Sequence, residues 1–168
     1  MSRLCTALGL AALTVAMATG QWAQAQEEGA AKALGHYNFW QSMGWQHQAQ
    51  HQARSLYYYG QTKDPSADKA KEHAAAARAA VTSSQKHLAE LKKTSPYDKA
   101  AQASIAKIEE IHKKVLTHCD ACDKAVAKGD HTAMSSASAD IVHDLHDADA
   151  EMKNLQKTLK LNSEVPKK

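Results

Sequence analysis

Along most of this chain, apolar and small residues recur in alternating steps of three and four, the spacing of one face of a helix. Between residues 65 and 93 the series is Ala67, Ala70, Ala74, Ala77, Val81, Ser84, Leu88 and Leu91. Between 96 and 128 it is Ile105, Ile108, His112, Val115, Cys119, Cys122 and Val126. Beyond 131 it is Met134, Ser138, Ile141, Leu145, Ala148, Met152, Leu155 and Leu159.

Turn residues cut these stripes into separate helices. Gly60 suits a position just past a helix end, and Asp64-Pro65 reads as an N-cap followed by proline at the first helical position. Ser95-Pro96 repeats that signature, and Gly129-Asp130 pairs a terminating glycine with a new N-cap. The predicted helices are Leu34–Tyr59, Pro65–Lys93, Pro96–Lys128 and His131–Leu161. Short connections force neighbours to run antiparallel, and this spacing suits the shallow crossing of bundles. The expected fold is all-α, an up-down-up-down antiparallel four-helix bundle over residues 34–162.

The first helix departs from the pattern. From Gln46 to Ser55 it has no large apolar residue, while Tyr37, Phe39, Trp40, Trp45, Tyr57, Tyr58 and Tyr59 gather at its ends. One stripe keeps the three-four alternation throughout: Tyr37, Trp40, Gly44, His47, His51, Arg54 and Tyr58. A helix in a bundle must bury a face, so either this stretch lies loosely on the surface, pinned by the aromatics at its ends, or the stripe lines a polar interior; the sustained alternation favours the interior. Three consecutive tyrosines cannot all face one core, and Tyr57 to Tyr59 read as a lid closing one end.

The N-terminal 25 residues change the cellular setting. Arg3, the apolar run Leu4–Thr19 and Ala23-Gln24-Ala25 form a secretory signal with cleavage expected after Ala25. The apolar run is short for a membrane span, which needs roughly 20 residues. Residues 26–33 then form a flexible lead-in and 163–168 a disordered tail, and the mature protein is periplasmic or secreted with no stable membrane span. Charge is near balance, with 21 Lys+Arg against 18 Asp+Glu, scattered without the basic stripe of a nucleic-acid footprint. No nucleophile–base, phosphate-loop or paired-carboxylate signature appears, so an enzyme is not expected.

Histidine is the residue type in excess, with all 10 lying beyond residue 25. Matching heights across the expected loops brings His51, His73, His118, Cys119 and either Asp140 or His143 to one layer. His47 and His51 are spaced i, i+4 on one helical face. His118-Cys119-x-x-Cys122 places an imidazole and two thiols within a turn, a donor set that suits copper or zinc. The candidate ligands are therefore His47, His51, His73, His118, Cys119, Cys122 and His143. Cys119 and Cys122 also fit a disulfide or plain core packing. Asp123 follows Cys122 where covalent haem attachment needs a histidine.

The expected function is a copper or zinc carrier, buffer or sensor without catalysis. The alternative is a cofactor-free interaction bundle of the cell envelope, docking a protein partner or a further copy through its first helix. A weaker alternative is non-covalent haem held between a histidine and Met43 or Met134.

Overall fold

A computed structural model describes the backbone of residues 4–62, 66–94 and 98–161, with side chains from residue 29 onward. Among the described residues there are four helices and no strand. They are α1 (Leu4–Gly60), α2 (Ala67–Thr94), α3 (Lys99–Lys128) and α4 (His131–Thr158). Met1–Leu34 and Gly35–Lys168 form two compact units. In the first, the described backbone is helical from Leu4; it includes residues 26–33, expected to be a flexible lead-in but free of proline. No helix among the described residues is long and apolar enough to cross a membrane. The expected tail 163–168 and the expected caps Asp64-Pro65 and Ser95-Pro96 lie outside the described residues.

Within Gly35–Lys168 the ends of α3 and α4 follow from local chemistry. Asp98 caps α3 by accepting from the Ala101 amide at 2.9 Å, and Asp130 caps α4 by accepting from Ala133 at 2.9 Å. Gly129, at φ 66°, ends α3 in the left-handed region, where the Asp130 amide reaches back to Ala125 O at 2.9 Å. Gly60 ends α1 for a different reason. A Cβ there would lie 3.3 Å from Ser135 Cα, so the glycine lets α1 approach α4.

The stripes read on α2, α3 and α4 are the buried faces. All of the expected positions are buried except Ala67, which is exposed, and Leu159, which is half-buried. On α1 the opposite face is inside. Gly35, Phe39, Ser42, Gln46, Ala49, Ala53 and Leu56 are buried, and they too alternate by four and three. The stripe expected to line the interior, Tyr37 through Tyr58, faces outward at every position. Small side chains win the inner face because they admit close helix approach, and the polar ones find partners there. Of the three tyrosines, Tyr58 is exposed and its neighbours are half-buried.

Two apolar clusters fill the interior. One joins Phe39, Met43, Leu88, Leu91, Ile105, Ile108, Met152 and Leu155. The other joins Ala49, Ala53, Leu56, Ala74, Val81, Val115, Cys119, Cys122, Ile141 and Leu145. Between them every helix contributes buried residues that neither cluster claims: Ser42 and Gln46, Ser84, His112 and Ala148.

Candidate functional site

The buried polar layer is the first place to look for chemistry. Ser42 and Ser84 share a 2.8 Å hydroxyl contact, and each hydroxyl also reaches the other's carbonyl. Gln46 Nε2 donates to Leu145 O at 3.0 Å, as does Gln50 Nε2. That fixes the amide orientation, so Gln46 Oε1 accepts from His112 Nε2 at 2.6 Å. His112 Nε2 therefore carries the proton, and Nδ1 is a buried lone pair with no hydrogen-bond partner. Burial holds the imidazole's pKa down to about 4, so it is neutral at physiological pH. This layer positions helices, and its His112 imidazole belongs to no set of converging metal ligands among the described residues.

The expected cysteine site sits one level away. Cys119 and Cys122 are fully buried and unbridged. Burial pushes the Cys119 thiol up to about 12, partly countered by Arg78, and raises Cys122 as well, partly countered by Ser138. Metal binding needs the thiolate, and this surrounding disfavours it. Both cysteines belong to the Ala49 cluster of buried apolar residues, so the pair packs as hydrophobes. The native thiols are expected to react with iodoacetamide at mildly alkaline pH at least ~100-fold more slowly than in urea-unfolded protein. Labelling at the unfolded rate would contradict this packing.

The expected layer of His51, His73 and Cys119 is not assembled. His51 is exposed on the outer face of α1, and His73 Nδ1 meets Gln52 Oε1 at 2.8 Å in a half-buried contact between α1 and α2. His47 is exposed and bonded to Asp149 at 3.3 Å. Height along the bundle was the basis of that layer, and helix rotation decides it; α1 is turned with its imidazoles outward. Met43 and Met134, the expected haem ligands, are buried in separate clusters.

Two of the expected ligands, His118 and His143, each meet acids on the surface where α3 packs against α4. His118 Nε2 lies 3.3 Å from Asp144 Oδ2, and its Nδ1 lies 3.9 Å from Asp140 Oδ2. His143 Nδ1 lies 3.7 Å from Asp147 Oδ2, one turn apart on α4. Among the described residues, His143, Asp144 and Asp147 form the one set of three or more His, Cys, Asp or Glu with ligand atoms all within 4.8 Å. Asp144 Oδ2 is shielded from water yet has no hydrogen-bond partner; the approach of His118 has ion-pair distance without hydrogen-bond alignment. An orphaned carboxylate oxygen is costly, and a cation would satisfy it. From the sequence, the acids Asp144 and Asp147 beside His143 read as a solvated group before a weak outer metal site, because the contact with His118 depends on how α3 and α4 are rotated.

No family model matches the chain, and no curated protein or solved structure is significantly similar to it.

Proposed function

We propose that this chain is an exported, non-catalytic zinc- or copper-binding four-helix bundle whose ion sits on the α3–α4 face. The observation that carries the reading is the water-shielded Asp144 Oδ2, which makes no hydrogen bond and is flanked by His118, His143 and Asp147. The His143 imidazole and the Asp144 and Asp147 carboxylates make a donor set for Zn²⁺ or Cu²⁺, which accept nitrogen and oxygen together, with His118 beside Asp144 as a further nitrogen donor. Soft Cu⁺ would prefer the two thiols, which burial keeps protonated. Asp140, near His118 Nδ1, would orient that ring as an outer carboxylate does at many metal sites.

Support for the up-down-up-down antiparallel topology comes from the order of the layers. Rising residue numbers pass from the Phe39 cluster to the Ala49 cluster on α1 and α3, and the reverse way on α2 and α4. Residues 1–25 serve as a cleaved export signal, and the protein works in the periplasm or outside the cell. Its part there is that of a carrier, buffer or sensor.

The test is elemental analysis after exposure to equimolar zinc and copper(II) and exhaustive desalting. The expected result is one ion per chain at this site, with affinity lowered roughly 100-fold or more in His143→Ala/Asp144→Asn. Unchanged affinity and stoichiometry in that variant would overturn the site. A metal-free wild type would favour the second reading, a cofactor-free interaction bundle of the envelope. What favours that reading is that every exposed large hydrophobic side chain among the described residues lies on α1.

A further inference from the structure

We infer that the outward face of α1 is the contact face of an antiparallel dimer, in which His47 and His51 of two copies together hold one transition-metal ion.

α1 carries two seams. The inner one is covered by its own chain. The outer one, Tyr37, Trp40, Gly44, His47, His51, Arg54 and Tyr58, is exposed at all seven positions and keeps the three-four alternation that helix pairs use. Tyr37 is 56%, Trp40 41% and Tyr58 69% exposed. A solvated face has no need for large aromatics at this spacing; a face covered by another helix does.

The stripe is complementary to itself in one direction. In an antiparallel helix pair, an a position faces a d position of the other strand. Taking Tyr37, Gly44, His51 and Tyr58 as a, and Trp40, His47 and Arg54 as d, the two-fold axis falls beside Ala49. Trp40 then meets the partner's Tyr58, and His47 meets the partner's His51. Gly44, where an added Cβ would meet no other part of the chain within 4 Å, meets the partner's Arg54, whose long side chain needs that space. The parallel arrangement would instead set Arg54 against the partner's Arg54 and leave an empty hole between two glycines. Of these two arrangements, the antiparallel one fills the seam without opposing like charges.

The histidines explain why such a dimer needs metal. A single pair of helix stripes, about 32 Å long at 1.5 Å per residue, is a small interface, below the ~1,200 Å² of total burial that stable association usually requires. His47 and His51 offer two imidazoles one turn apart, half of a tetrahedral zinc shell. The two-fold axis supplies the other half. His47 is prepared for that role. Its Nε2 donates to Asp149 Oδ1 at 3.3 Å, and Asp149 is in turn held by Lys153 at 2.7 Å. A carboxylate only accepts, so Nε2 bears the proton and Nδ1 keeps its lone pair, the tautomer order common where a carboxylate backs a metal-bound histidine.

Sedimentation velocity on the purified full chain tests this. The expected result is monomer with chelator and dimer with saturating zinc, with half an ion per chain bound beyond that at the α3–α4 face. His47→Ala/His51→Ala should keep wild-type circular dichroism and its α3–α4 metal site but stay monomeric. His143→Ala/Asp144→Asn should still dimerise, which separates this inference from the function proposed above. A wild type that stays monomeric with saturating zinc, copper(II) and nickel would overturn it, as would equal dimerisation of the His47/His51 variant. The register has its own readout. Mild oxidation of zinc-loaded Trp40→Cys/Tyr58→Cys should give covalent dimers; efficient cross-linking of Trp40→Cys alone would instead mean a parallel pair and overturn the antiparallel arrangement.

Discussion

Replacing Gln46 by leucine is expected to lower the unfolding free energy by about 3 kcal/mol, even though it adds an apolar side chain to an apolar interior. Gln46 is fully buried and makes two bonds, accepting from His112 Nε2 at 2.6 Å and donating to Leu145 O at 3.0 Å. Leu145 O would keep Gln50 as a donor at 3.0 Å. His112 would keep nothing. Its Nδ1 is already unpartnered, so the substitution leaves a fully buried imidazole with neither nitrogen satisfied. Stranding a buried polar group costs about 1–3 kcal/mol, and misfit of the branched side chain adds to it.

The double substitution discriminates this account from simple overpacking. Adding His112→Leu removes the stranded imidazole, and replacing both partners by apolar groups is often close to neutral. Urea unfolding of the two single variants and the double should give a coupling of about 2 kcal/mol or more, with the double variant recovering most of the loss. Additive losses would mean that the Gln46–His112 bond contributes little and that shape alone governs this layer.

That layer also shows which parts of the molecule were legible in the sequence. The seams of α2, α3 and α4 could be read because a single face carries the larger apolar residues, Leu88 and Leu91, Ile105 and Ile108, Ile141 and Leu145. On α1, two faces keep the same three-four spacing. One holds Phe39, Ser42, Gln46, Ala49, Ala53 and Leu56, the other Tyr37, Trp40, His47, His51 and Tyr58. Periodicity alone, which both faces share, led to the wrong one. What decides between them is whether Gln46 and Ser42 find partners across the core, and those partners, His112 and Ser84, are 66 and 42 residues away. The candidate site failed in the same way. Heights along a bundle follow from loop positions, but convergence of ligands needs helix rotation. His118 and His143 were both named as candidates, yet the partner that joins them, Asp144, follows only from the packing of α3 against α4.

The second large effect expected is a loss of stability in mild acid that runs through a single side chain. His112 Nδ1 is the atom that would take up a proton, and it lies buried with no acceptor to receive the N–H. Burial therefore holds its folded-state pKa at about 4, against 6.5 for the free group. Between those values the unfolded chain binds a proton that the folded chain does not, so acid favours unfolding. Above pH 6.5 this group leaves stability unchanged. As pH falls from 6.5 towards 4, its contribution is lost progressively, about 1.4 kcal/mol per unit where the difference is full and about 3 kcal/mol in all. Depressed carboxyls such as Asp149, which Lys153 and His47 hold low against the opposing effect of burial, lose their contribution further into acid. The two sources can be separated with Gln46→Leu/His112→Leu. Urea midpoints measured between about pH 7.5 and 4.5 should slope steeply in the wild type and much less in that variant. Parallel slopes would mean that the proton released on folding in this range comes from elsewhere, and that the His112 ring can be charged inside the bundle at little cost.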